Sequence, residues 1–292
     1  MMKIENQTFD QERALYGIHD SEVINCTFAG EADGESPFKE THDIVVDNCY
    51  LELRYPFWHV NHASILNVEM TELCRAALWY DNDITIENSL LHGIKAVREC
   101  QNITIKNCDL ISPEFGWMSS NLKIENSSLT GEYPFLNSKQ IELNNFKLNG
   151  KYSFQYVENM VIKDSYLDTK DAFWHSKNVT VYDSVLKGEY LAWYSENLKL
   201  VRCKIIGTQP LCYAKGLVLE DCEMIDTDLS FEKSEVKANI KGNIVSVKNP
   251  DCGYIYADSI GEIVLDQKTK CKIQTNSYVN YNNDCKNCCT CN

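Results

Sequence analysis

No eighteen apolar residues follow one another anywhere in the chain, so no segment reads as a membrane-spanning helix. Residues 1–10 lack the apolar core of a secretory signal, which leads to the expectation of a soluble cytoplasmic protein. Clustered lysine and arginine are missing too: 28 basic residues face 42 acidic ones, a net charge of −14. A surface that holds nucleic-acid phosphates or an anionic membrane needs the opposite balance, so neither is expected as a partner. Cysteine, by contrast, is plentiful at 14 residues. Disulfide scaffolds are usually small exported domains. In a chain of 292 residues whose cysteines recur with a repeat, they read as reduced thiols that pack.

What fills the chain is a phrase of the form apolar-x-apolar-x-Asn-Cys/Ser-x-Leu. Its clearest copy is Ile103-Thr104-Ile105-Lys106-Asn107-Cys108-Asp109-Leu110, and others begin at Ile44, Ile84, Leu122, Ile141, Met160, Val179, Leu198 and Leu217. From Ile84 to Val236 successive starts lie 19 residues apart, and weaker copies at Ser21 and Ala63 are displaced by insertions such as residues 30–36. Each phrase alternates with period two and is rich in Ile, Val and Thr, which is strand behaviour, while the 3.6-residue period of a helical repeat is absent. The expectation is an all-β chain folded as a right-handed parallel β-helix of about 12 coils of 19 residues, irregular after Val236 where the spacing breaks. One domain, residues 1–284, is expected, followed by a flexible Cys-rich tail, residues 285–292.

Reading down the repeat exposes its stacking logic. The Asn position holds Asn25, Asn48, Asn67, Asn88, Asn107, Asn126 and Asn145, then Asp164, Asp183, Arg202 and Asp221. Stacked amides at a turn bond to one another and tolerate left-handed backbone, so this row is both turn and glue. The next position holds Cys26, Cys49, Ser89, Cys108, Ser127, Ser165, Ser184, Cys203 and Cys222, read as small groups filling a tight corner. Gly93, Gly131, Gly150, Gly188 and Gly207 mark an opposite turn and are expected to adopt positive φ.

The coil pattern resembles the pectate-lyase-like right-handed β-helix superfold. The segments Gly34-Glu35-Ser36-Pro37-Phe38-Lys39-Glu40, Lys170-Asp171-Ala172-Phe173-Trp174 and Gly207-Thr208-Gln209-Pro210-Leu211-Cys212 are similar to those of a bacterial family of unknown function with that fold. The resemblance covers roughly residues 3–266. It implies the fold and brings no catalytic residues with it.

Chemistry, if present, is expected on the second apolar segment of each coil. An apolar row there, Phe57, Leu78, Val97, Gly116, Phe135, Phe154, Phe173, Ala192 and Leu211, is followed by a tryptophan-rich row, Trp58, Trp79, Arg98, Trp117, Leu136, Gln155, Trp174 and Trp193. Beside it runs a third row with His59, Tyr80, Glu99, Tyr156, His175 and Tyr194. Neighbouring residues of a regular strand face opposite ways, so these rows share a surface only if the chain bends. The expectation is an aromatic stripe that binds an oligosaccharide, with Trp58, His59, Trp79, Tyr80, Asp171, Trp174, His175, Trp193 and Tyr194 as candidate ligand-binding residues. The alternative is a noncatalytic structural or protein-interaction scaffold whose aromatics fill the interior.

Binding is expected ahead of processing; if the chain is an enzyme, it is expected to be a carbohydrate-active lyase or glycosidase. A lyase or glycosidase of this superfold would need grouped carboxylates, whereas the row of Asp171 reads Tyr133, Tyr152, Asp171, Tyr190, Gln209, an acid isolated between tyrosines. No cofactor is expected. The four tail thiols Cys285, Cys288, Cys289 and Cys291 form a weak candidate metal cluster, because zinc sites normally join two separated pairs of ligands.

Overall fold

The repeated phrase folds as its period dictates. In the strand Gln101–Lys106, Ile103 and Ile105 point inward and are 1% exposed. Asn107 then turns the chain with a left-handed φ of 53°, and the short strand Asp109–Ile111 returns Leu110 to the core. Equivalent strands of successive coils pair in parallel, Ile84 beside Ile103 and Ile103 beside Leu122.

The structure is a computed structural model and describes residues 2–30, 35–277 and 280–282. Among the described residues every regular element is a strand. The chain divides into two compact units, Met1–Asn149 and Gly150–Asn292, each a parallel β-solenoid. Coil-opening strands begin at Met2, His19, His42, Asn61, Asn82, Gln101, Ser120 and Lys139 in the first unit, and at Glu158, Lys177, Glu196, Leu217, Glu235 and Cys252 in the second. The turns number about 14 rather than about 12. The coils missed lie at the ends of the sequence. Met2-Lys3-Ile4-Glu5-Asn6-Gln7-Thr8-Phe9 repeats the phrase and pairs with the coil from Ser21. At the other end Val236 pairs with Gly253, 17 positions on, after the ladder shifts register between Leu219 and Cys222. The irregular end expected after Val236 is this shortened coil, built from the long strands Glu235–Lys248 and Cys252–Val264.

The corner rows explain why the coils stack. Asn25, Asn48, Asn107 and Asn126 are all left-handed, and Nδ2 of Asn48 donates to Oδ1 of Asn25 at 2.7 Å, as Asn145 does to Asn126 at 2.9 Å. The small-residue row does more than fill space. The backbone N–H of Val68 donates to Ser89 Oγ (3.0 Å), that of Ser89 to Cys108 Sγ (3.4 Å) and that of Cys108 to Ser127 Oγ (3.0 Å). Each of these side chains in turn donates to the carbonyl two residues before it, Ser89 to Glu87 and Ser127 to Glu125, both at 2.8 Å. The second unit repeats the device at Ser165 and Ser184. A corner N–H that the strand ladder does not reach is thereby satisfied one coil further on.

The glycine row corrects one expectation. Gly188 and Gly207 have positive φ, but Gly93 and Gly131 do not. What the four share is crowding: a Cβ at Gly131 would stand 2.4 Å from the Ser112 carbonyl oxygen, and at Gly93 2.7 Å from that of Cys74. Close approach of stacked backbones, not handedness, selects glycine here.

Ser127→Ala should therefore lower stability by about 1–3 kcal/mol, the cost of leaving the buried Cys108 N–H without an acceptor, whereas Ser127→Cys, which restores the residue type used at Cys26 and Cys49, should cost much less. Urea unfolding midpoints decide; equal losses for the two variants would show that the corner needs volume alone.

Candidate functional site

Among the described residues the second apolar segment is a true strand only at Phe57–Trp58, Leu78–Trp79 and Val97–Arg98, which pair in parallel. In later coils it is a bend in which alternate residues are left-handed, as at Tyr133, Phe135 and Asn137 and at Asp171, Phe173 and His175. This backbone separates three adjacent rows that a regular strand would send to opposite faces. Phe57, Phe135, Phe154 and Phe173 are fully buried. All five tryptophans are half-buried, and His59, Tyr80, Tyr156, His175 and Tyr194 are exposed. The tryptophans therefore stand at the edge of the core, with the indole nitrogens of Trp58 and Trp79 buried.

In the first unit Trp58 and Trp79 stack with centroids 5.3 Å apart and planes 14° from parallel. Lys39 Nζ sits 3.8 Å from the Trp58 ring centroid, and the Arg98 guanidinium 5.9 Å from that of Trp79. Lys39, Trp58, Trp79 and Arg98 occupy one position in four successive coils, so the two indoles are held between two cations. His59 meets Tyr80 edge-on at 5.3 Å and lies 3.7 Å from Glu40. Burial opposes the Glu99 charge, but bonds from Tyr80 and Arg98 outweigh it and hold this carboxyl below its usual range.

In the second unit Trp174 and Trp193 stack at 5.7 Å and 3°, each pinned by its indole N–H, to the Tyr190 carbonyl (3.0 Å) and the Gln209 carbonyl (2.8 Å). Beside them Tyr156, His175, Tyr194 and Tyr213 form a continuous stack with steps of 5.1, 5.1 and 5.0 Å and tilts of 6°, 8° and 17°. Near-parallel rings at such spacing lie face to face. Solvent thus meets the edges of the exposed Tyr156, His175 and Tyr194 rings, while the half-buried Tyr213 turns its hydroxyl to Glu232 Oε2 at 3.5 Å. Asp171 is 7% exposed, and burial pushes its carboxyl up; the charges acting on it, Lys170 and Glu189, are paired with each other at 2.9 Å.

The candidates thus fall into two sets, Trp58, His59, Trp79 and Tyr80 in the first unit and Trp174, His175, Trp193 and Tyr194, with Asp171, in the second. Among the described residues no trio of His, Cys, Asp or Glu is arranged to hold a metal ion. The tail thiols Cys285, Cys288, Cys289 and Cys291 lie outside the described residues. The sequence reading missed Lys39 and Glu40, although Pro37-Phe38-Lys39-Glu40 stands to its coil as Pro56-Phe57-Trp58-His59 stands to the next.

It also missed Asp81. Behind the exposed row runs a second corner relay, in which Cys100 N–H donates to Ser119 Oγ (3.1 Å) and Ala214 N–H to Ser234 Oγ (2.9 Å). In the coil of Trp79 the acceptor is Asp81, 1% exposed, whose Oδ1 takes the Val60 N–H at 2.8 Å. Burial raises its carboxyl well above the usual range, against the pull of backbone bonds at Val60 and Trp79. Ser119 donates to the Trp117 carbonyl at 3.1 Å, and only a protonated Asp81 can imitate that donation.

Solved structures similar to this chain include PfbA, a surface adhesin of Streptococcus pneumoniae (10% identity, TM-score 0.38, covering 82% of this chain and 70% of that chain). They also include the Azotobacter vinelandii mannuronan C-5 epimerase AlgE6 A-module (10% identity, TM-score 0.33, 82% and 88%). A third is a hyperthermoactive exopolygalacturonase from Thermotoga maritima (9% identity, TM-score 0.23, 95% and 84%). At such TM-scores these likenesses bear on neither ligand nor reaction. No curated protein sequence matches the chain. One family model, described as "Protein of unknown function (DUF3737)", matches residues 2–277.

Asp81 gives a pH signature. Because its folded pKa lies above the unfolded value of about 3.9, its contribution to stability is complete below that pH and is lost as pH rises through the folded pKa. Asp81→Ser should remove this loss, so the melting temperature of the variant relative to the native protein should climb as pH rises above about 4 and level off once pH has passed the folded pKa. A difference that does not change with pH would place Asp81 in ordinary solvation.

Proposed function

The chain belongs to DUF3737, a family of unknown function with no activity to carry over, and we propose that it is a noncatalytic binding protein that takes an oligosaccharide along its aromatic corner. The observation that carries this reading is the stack Tyr156–His175–Tyr194–Tyr213, its first three rings exposed, beside the pinned Trp174–Trp193 pair. Stacking on the solenoid needs apolar or amide side chains; it does not need three hydrogen-bonding rings in solvent. Their hydroxyls and ring nitrogens recur once per coil and suit the repeated hydroxyls of a sugar chain, while the ring edges and the half-buried indoles provide apolar contact. Rigid pinning of both indole N–H groups favours binding by lowering the cost of ordering the surface.

Binding rather than processing is favoured by Asp171. Glycosidases use two carboxylates about 5–10 Å apart, each free to act; here the acid of the neighbouring coil, Glu189, is engaged by Lys170.

A protein partner is the second reading, favoured by the first unit. There Lys39 and Arg98 close the outer faces of the Trp58–Trp79 pair, the faces on which a sugar ring would stack. Trp, Tyr and Arg together are the residues that dominate protein interfaces.

A thermal-shift screen against neutral and acidic oligosaccharides separates the two. The oligosaccharide reading expects at least one that raises the melting temperature of the native chain and binds Tyr194→Ala at least tenfold more weakly, with circular dichroism unchanged. Absence of any such sugar would end this reading in favour of the protein partner.

A further inference from the structure

The two residues that open each coil, just before the phrase, carry a second set of bonded amides. Asn102 donates to Asn82 at 2.9 Å and Asn121 to Asn102 at 2.6 Å; in the second unit Asn178 donates to Asn159 at 3.1 Å and Asn197 to Asn178 at 3.0 Å. Near the start of the chain this set is abandoned. Three successive coils open with His19-Asp20, His42-Asp43 and Asn61-His62. In this register His19 and His42 stand in the row of Asn61 and Asn82, and Asp20 and Asp43 in the row of Asn102 and Asn121; Asn82 donates to Asn61 at 2.9 Å, so an amide pair serves the histidine position in the coils that follow.

The imidazoles are oriented alike. His19 Nδ1 lies 3.0 Å from Asp20 Oδ2, and His42 Nδ1 lies 2.8 Å from Asp43 Oδ2. The two rings are stacked, with centroids 5.0 Å apart and planes 3° from parallel. His62 Nδ1 uses the other oxygen of Asp43, at 2.5 Å. A carboxylate on Nδ1 fixes the N–H there and leaves the Nε2 lone pair free, the arrangement that metal-binding histidines use. With the same tautomer and parallel rings, His19 and His42 present their Nε2 atoms in one direction, one coil apart. Their side chains are 59% and 49% exposed, so nothing but the carboxylate bonds restrains them.

We propose that His19 and His42, oriented by Asp20 and Asp43, form a two-imidazole site for a borderline divalent transition-metal ion of the Zn²⁺ and Ni²⁺ type. A metal–nitrogen distance of about 2.0–2.1 Å requires the two Nε2 atoms to converge from one coil spacing to under about 4 Å. Small rotations of two exposed side chains accomplish this, and water completes the coordination. Imidazole selects such ions over Mg²⁺ and Ca²⁺, which prefer oxygen. Asp20, Asp43 and Asp83, left-handed residues at the same corner, add negative potential that favours a cation. The site lies on the coil-opening strands and is independent of the aromatic corner.

Histidine side-chain nitrogen spectra of the full chain, recorded during titration with ZnCl₂, test this directly and are blind to the cysteines. The Nε2 signals of His19 and His42 should move together while those of His59 and His175 stay in place. Calorimetry with NiCl₂ should show at least a tenfold loss of affinity in the double variant His19→Asn/His42→Asn, whose asparagines match Asn61 and Asn82 at the same position of the next coils and keep the fold, and roughly a tenfold loss in Asp43→Asn. Unmoved Nε2 signals, or equal Ni²⁺ affinity in the native chain and the double variant, would overturn the proposal.

Discussion

A backbone N–H at the corner of one coil meets the hydroxyl or thiol of the next, and that side chain hands its own proton to a carbonyl two residues back. Strand ladders satisfy the straight parts of a coil, but at a corner the chain turns away from its neighbour and its polar groups would be stranded. Each stranded N–H costs about 1–3 kcal/mol, repeated once per coil. Where the row holds Ser or Cys it cancels that cost, as for the N–H groups of Val68, Ser89, Cys108 and Ser165, whereas Val68 and Phe146 occupy the row without such a group. Ser, Cys and, once, Asp recur in these rows because a small side chain with a lone pair can take the N–H of the preceding coil. The buried thiols are held for this purpose, and burial raises Cys49 and Cys74 to about 12, so they are protonated and unreactive.

The same vertical register shapes the candidate site. Residues at one position of the repeat stand one above another at the coil spacing, so aromatic residues placed at a corner meet face to face. Trp174 with Trp193 and His175 with Tyr194 are consequences of that geometry. What stacking does not dictate is their exposure or their polarity. A stack of leucines at the third row would serve the corner as well, yet the chain places tyrosine and histidine there, and it closes the indole faces of the first unit with Lys39 and Arg98. The surface is one of edges and hydrogen-bonding groups.

The coil, its 19-residue length, the Asn corner and the buried rows were legible because stacking repeats the same demand at a fixed interval. The graded burial of the Phe, Trp and His/Tyr rows was legible for the same reason, given a bend. Three things were hidden. Gly93 and Gly131 are required by a carbonyl one coil away, a distance that one sequence window does not display. Asp81 looks like any surface acid until the coil places it in a serine row. The first coil was overlooked although Met2–Phe9 spells the phrase in full, and the last escaped because Gly253 interrupts it. The sheet mate, not the residue itself, supplies the missing information in each case.

Amide hydrogen exchange at Ser89, Cys100 and Cys108 measures the corner relay most directly, because each of these N–H groups bonds to a side chain of the next coil rather than to a backbone carbonyl. The account predicts protection comparable to that of the neighbouring strand amide of Ile105. Exchange as fast as in an open turn would contradict it.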